Sequence, residues 1–303
     1  MDSVRQPAVR WPAPGAELDR LGRANGFTLV ELLVVIAVIG ILASMILPAL
    51  GRAKAKGQGT YCLNNLRQFG LMLHLYAGDH EDRLPYNMGT DGIKKTVADG
   101  EYLNWVNNVM TWDDEPGNTN TALLLTGGLG PYASGVASIY RCPADRVLSD
   151  YQRQLGWTER VRSVSMNAML GYAGEFMQGS INTNNPGYRQ FFRLADIPQP
   201  SGIFAFVEEH PDSINDGYFI NRYYSYQWID LPASYHDGAA NFTFADGHAE
   251  SHRWRHASTM PPARPDAAGL PFRIPDAEQG DWYWVLWRMT VEQAAKPAYT
   301  KNW

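Results

Sequence analysis

The sequence predicts an α+β protein in which a long N-terminal transmembrane and spine helix packs on an antiparallel β-sheet body. Three observations lead there. The run from Phe27 to Leu50 is almost wholly apolar. The stretch 51–80 repeats apolar residues three and four apart, the period of a one-sided helix. Between 161 and 254 short apolar runs alternate with polar residues and close on an Asp-Gly pair, the pattern of strands and a hairpin.

The apolar run reads "GFTLVELLVVIAVIGILASMILPAL". About twenty helical residues cross the roughly 30 Å hydrocarbon layer, and the run exceeds that once. An ordinary signal peptide would have a shorter apolar core followed by a small-x-small site; here the small residues Ala24 and Gly26 precede the run. Arg20 and Arg23 flank its start and place the N-terminus in the cytoplasm by the positive-inside bias. Arg52, Lys54 and Lys56 on the other side oppose that orientation, although their long stems can reach headgroups. Glu31 is the one acid of the run. An ionisable group at such depth is paired, neutralised or functional. A cut between Gly26 and Phe27 would create an α-amine one turn from this carboxylate, able to neutralise it in the same helix or in a neighbouring subunit.

This stretch resembles the N-terminal signature of type IV prepilins and type II secretion pseudopilins. The resemblance implies a pilin-like fold and cleavage after Gly26 by a prepilin peptidase. It implies methylation of the new N-terminal Phe27, and Glu31 as the residue that guides subunits into a helical filament. The family's helix-breaking proline of the span matches Pro48. The partners implied are that peptidase, other pseudopilin subunits and the inner membrane, with the body periplasmic.

After the span, Cys62, Leu66, Phe69, Leu73 and Tyr76 form one apolar face. As in pseudopilins, this helix is expected to continue the membrane helix, giving a stem of roughly 75 Å at 1.5 Å per residue. Gly57 and Gly59 interrupt it, each costing about 1 kcal/mol of helix propensity. They mark a soft spot, and a loop between two separate helices is the alternative. "CLNNLRQFGLMLHLYAGDHEDRLP" further resembles large pseudopilin-like proteins of planctomycetes, verrucomicrobia and lentisphaerae.

In the body, residues 86–135 are turn-rich with one short helical run at 120–125. "VRSVSMNAML" and "GIFAFVEE" are expected strands. Phe242 and Phe244 alternate with Asn241 and Thr243 in a third, Asp246-Gly247 turns the chain, and "HAESHRW" returns. His236, nine intervening residues and Asp246-Gly247 resemble the H-x9-DG signature of the same large proteins. The bland alternative makes His236 a structural residue bonding backbone around that turn. Residues 259–303 begin as a Pro-rich connector and end in Trp282, Trp284 and Trp287. These three either bind a glycan or partner or cover the sheet.

Composition narrows the function. With 26 basic and 31 acidic residues the net charge is -5, which argues against nucleic acid as a partner. H-E-x-x-H, G-x-S-x-G, P-loop and Rossmann signatures are absent from the sequence, so no enzymatic activity is expected. The two cysteines, Cys62 and Cys142, either pair in an oxidising compartment or remain separate buried thiols; their spacing carries no zinc pattern. "EEHPDSINDG" offers Glu208, Glu209, Asp212, Asn215 and Asp216 as a candidate calcium loop, or as an Asx-turn-rich surface loop. His210, His236, His248 and His252 with Asp237 or Asp246 are the remaining candidates for an acid–base or metal centre.

The expected division is therefore a leader at 1–26, a transmembrane helix at 27–50, a stem at 51–80, a body at 81–258 and an extension at 259–303. The expected function is a structural pseudopilin-like subunit. An anchored module binding glycan or protein is the alternative, and a tethered metal-dependent enzyme a third reading.

Overall fold

The computed structural model describes residues 27–267 and 269–293. The chain divides into two compact units, one up to Gly51 and one from Arg52 onward. Of the first unit, the described part is the beginning of helix α1, which spans Leu29–Asp79. From Phe27 to Leu50 its large apolar side chains are exposed, and it is a helix long and apolar enough to cross a membrane. The helix runs through Pro48 without breaking. Proline there removes one hydrogen bond, that to the Ser44 carbonyl, and the remaining bonds carry the helix past it.

Glu31 caps the start of α1. Its place in the first turn, three residues after Thr28, puts its carboxylate over the helix entrance, where Oε2 accepts from the Thr28 N–H at 2.8 Å and from the Thr28 hydroxyl at 2.8 Å. The Glu31 N–H donates to Thr28 Oγ1 at 3.2 Å. This is a reciprocal capping box, which satisfies two backbone donors that the helix leaves free.

The second unit is an α+β body. Among the described residues its further helices are α2 (Thr90–Ala98), α3 (Ala122–Leu125), α4 (Asp150–Gln154) and α5 (Gln279–Leu286). Its strands are β1 (Val164–Asn167), β2 (Met177–Gln178), β3 (Ile181–Asn182), β4 (Phe204–Glu208), β5 (Tyr218–Phe219), β6 (Gln227–Trp228), β7 (Ala239–Phe244), β8 (Ala249–Arg253) and β9 (Phe272–Arg273). Five of them form one sheet in the order β5-β1-β4-β7-β8. Its pairings are antiparallel except β1 with β5, which is parallel. The expected strands at 161–170, 202–209 and 241–254 are β1, β4 and the β7–β8 hairpin.

Both faces of the sheet are covered. On one face the body-side portion of α1 contributes Leu66, Phe69, Met72 and Leu73 to a core shared with Trp105, Tyr140, Met166 and Phe206. Phe69 sits at its centre, with ring centroids 5.0 Å from Tyr140 and 5.1 Å from Phe206. On the other face Phe204, Val207, Phe242 and Phe244 pack with Trp228, Trp254 and α5. The segment after 258 therefore completes the body: Ile274, Trp282, Val285, Leu286 and Met289 are buried in this second core.

Strand β7 lies along α1 at unusually short range. The alternation of Phe242 and Phe244 with Asn241 and Thr243 suggests a solvated polar face, yet that face is buried under the helix. Asn241 Nδ2 donates to the Gly59 carbonyl at 3.2 Å, and Thr243 Oγ1 donates to the Leu66 carbonyl at 2.6 Å. Missing side chains allow this approach. A Cβ on Gly70 would meet the Gly247 carbonyl and Thr243 Cγ2 at 2.9 Å, and one on Gly59 would meet the His236 ring at 3.2 Å. Gly59 is thus a contact residue within continuous helix, not a hinge, and the loop alternative for this stretch is not formed.

Candidate functional site

Two places gather chemistry. The first is the entrance of α1, where Phe27, Thr28 and Glu31 stand together. Phe27 and the apolar residues that follow face outward, while the capping box pins the Glu31 carboxylate within one turn of residue 27. Gly26 lies outside the described residues.

The second is a buried cluster inside the body. Cys62 projects from α1, Cys142 from the segment following a short helical turn, Glu208 from the end of β4, and His236 from the segment entering β7. All four are buried. The two cysteines are free thiols whose Sγ atoms lie 2.9 Å apart. Cys142 Sγ is 3.6 Å from His236 Nε2, which in turn is 3.1 Å from Glu208 Oε1. The other carboxylate oxygen, Oε2, accepts the Asn241 N–H at 2.9 Å. His236 Nδ1 is buried without a hydrogen-bond partner. Burial opposes a charge on this imidazole, but the hydrogen bonds to Cys142 and Glu208 outweigh it and hold its pKa up at about 10.

The signature residues occupy the two ends of the β7 contact with α1. His236 turns to Glu208 and Cys142 beside Gly59 and does not bond the Asp246-Gly247 turn, so the backbone-bonding reading of this histidine is replaced by a side-chain cluster. At the other end Gly247, with φ +88°, brings its carbonyl against Gly70. That backbone region favours glycine. Asp246 Oδ1 accepts the His248 N–H at 3.1 Å, holding the turn.

The acidic loop does not converge. Glu208 belongs to the cysteine–histidine cluster. The Asp212 carboxylate accepts the Arg264 N–H at 2.7 Å, and Asp216 accepts from the Thr90 hydroxyl at 3.0 Å. The Asn215 carbonyl takes donors from Arg162 and Met110. Glu209 is buried, and burial raises its pKa to about 7. Glu208, Asp212 and Asp216 thus bond different segments, and among the described residues the five candidates do not gather into one group of ligand atoms.

The four histidines also go separate ways. His210 bonds the Pro261 carbonyl at 3.0 Å. His248 pairs with Asp246 and stacks on Phe244. His252 stacks on Trp284 with centroids 3.7 Å apart, and burial pushes its pKa down to about 4. Trp282 is fully buried and Trp284 packs against Phe242, leaving Trp287 as the exposed member of the three. Trp282 and Trp284 thus cover the sheet, while Trp287 lies against Tyr283 at the surface, so the three do not form one exposed platform.

Sequence spacing could not reveal the four-residue cluster, because its members come from four distant segments. The capping box was accessible: Thr28-x-x-Glu31 at the head of an apolar run is its signature.

No curated protein and no solved structure matches the chain. One family model does match, the prokaryotic N-terminal methylation motif, over residues 21–47. Together with the exposed apolar start of α1, that motif supports a membrane-anchored chain of the type IV prepilin-like kind.

Proposed function

We propose that the chain is a structural pseudopilin-like subunit, cut by a prepilin peptidase between Gly26 and Phe27 and methylated on Phe27. It then assembles with other subunits into a periplasmic filament of a type II secretion or pilus-like system. The observation that carries this reading is the entrance of α1: an outward-facing apolar run over 27–50 whose only acid is fixed one turn from the expected new amine. Helix N-termini stabilise anions, so the capped Glu31 carboxylate remains available as a charge for the amine of its own or a neighbouring chain. The span then serves as a packing surface between subunits, since an apolar helix with small residues such as Gly40 and Ala43 associates through close contact in lipid. In this reading the leader ends at 26, the N-terminus lies in the cytoplasm and the body in the periplasm.

Mass spectrometry of the mature protein from a host carrying a prepilin peptidase tests it. The expected N-terminus is N-methylated Phe27; any other mature N-terminus overturns the assignment. A Glu31→Ala chain is expected to be processed and to assemble poorly. Assembly at the wild-type level would remove the carboxylate from the proposed mechanism.

A further inference from the structure

We propose that Cys62, Cys142, Glu208 and His236 form a four-coordinate zinc site that fastens α1 to the sheet. The proposal is independent of the filament reading, since all four ligands lie in the body.

The donor set is the first argument. Two thiols, one imidazole and one carboxylate are the ligand types of zinc, while the thiols disfavour calcium and magnesium. Among the described residues, this is the group of His, Cys, Asp and Glu whose ligand atoms all lie within 4.8 Å of one another. Geometry is the second. A tetrahedral centre with bonds of about 2.0–2.3 Å separates neighbouring ligand atoms by roughly 3.3–3.8 Å. The separations here, 2.9 Å between sulfurs, 3.6 Å from sulfur to imidazole and 3.1 Å from imidazole to carboxylate, lie within about 1 Å of that range. A small outward movement of the thiols suffices.

The surroundings supply the rest. The Asn241 N–H on Glu208 Oε2 fixes the carboxylate with Oε1 turned to the cluster, the kind of outer hydrogen bond that orients a ligand. An approach exists: a cavity of about 450 Å³, lined in part by Lys56, Gly59, Thr60, His236 and Asn241, adjoins the imidazole. A disulfide between Cys62 and Cys142 would account for the two sulfurs alone and would leave His236 and Glu208 beside them without a role. Binding of zinc accounts for all four, displacing the thiol and imidazole protons as ligands deprotonate.

The test uses the full-length chain in detergent, purified without chelator. Elemental mass spectrometry should find about one zinc per chain, and a thiol reagent should count both cysteines after denaturation in chelator. The metal-stripped chain titrated with Co2+ should give the visible d–d bands of a tetrahedral site and a sulfur-to-cobalt charge-transfer band. Cys142→Ser should weaken zinc by more than about 100-fold, because losing even an outer-shell partner costs roughly 10–100-fold. Glu208→Gln, which keeps the side-chain shape, should weaken it by about 10-fold or more and preserve the tetrahedral spectrum. A chain lacking zinc whose mass and thiol count show a Cys62–Cys142 disulfide overturns the proposal. So does a cobalt titration of the stripped wild-type chain without tetrahedral bands, zinc affinity unchanged in Cys142→Ser, or iron or copper in place of zinc. A prepilin-type N-terminus found or missing leaves each of these outcomes as it stands.

Discussion

Glu209→Gln should make the body more stable at alkaline pH and leave it unchanged at acid pH. The carboxyl is buried at the end of β4, and its Oε1 has no hydrogen-bond partner. The nearest cation, Arg162, spends its donors on neutral acceptors: Asn108 Oδ1, the Val164 carbonyl, Ser165 Oγ and the Asn215 carbonyl. Burial therefore dominates and lifts the acid from 4.5 to about 7. Buried Asp216 and Asp230 are raised as well, and the Glu209 charge contributes to the rise at Asp230. A carboxyl raised on folding holds its proton in the native state while the unfolded chain releases it. Stability consequently falls as pH climbs from about 4.5 to about 7, by a total of about 3 kcal/mol for the rise at Glu209. Glutamine mimics the protonated acid and has no such proton to lose. Urea unfolding of the full chain in detergent, followed by fluorescence of the buried tryptophans, should give similar midpoints for variant and wild type near pH 4. Above pH 8 the variant should be the more stable by up to about 3 kcal/mol. A difference between the two that stays constant from pH 4 to 8 would refute the argument.

Two glycines of α1 should respond oppositely to alanine. Gly70→Ala is expected to cost about 1–3 kcal/mol through overpacking against β7, more than the about 1 kcal/mol gained in helix propensity. Gly57→Ala, where no atom lies within 4 Å of an added Cβ, should stabilise by up to about 1 kcal/mol; equal midpoints for the two variants in urea would refute the close approach. Thr28→Ala removes one half of the capping box and should cost about 1 kcal/mol of first-turn stability, seen as roughly 5-fold faster amide exchange at residues 29–32. Unchanged exchange there would show that Thr28 does not cap the helix.

Local patterns made much of this fold legible. The apolar run, the one-sided stem and the Asp-Gly hairpin each follow from short-range periodicity, and α1, β4 and the β7–β8 pair correspond to them. Long-range pairing was not legible. Asn241 and Thr243 carry the alternation of a solvated strand face, and only the arrival of α1 turns that face inward, where helix carbonyls satisfy it. The tryptophans of α5 could equally have served a ligand, and the strand aromatics they meet are forty residues away in sequence. Cys62, Cys142, Glu208 and His236 have no shared spacing because each comes from a separate element. At the N-terminus the reverse holds: the capping box spans only Thr28 to Glu31, so short-range pattern alone announces it.

The contact between α1 and β7 also has a mechanical meaning. Helix positions 59, 66 and 70 meet hairpin positions 241, 243 and 247 in the same chain order. A tug along the helix axis would therefore load these attachments together, in shear, instead of peeling them off one after another. Rupture would require both hydrogen bonds and the Gly70 contact to fail at once. Sideways traction on the hairpin would meet them in succession and at lower force. The body is thus built to resist pull in the direction of its own helix far better than across it.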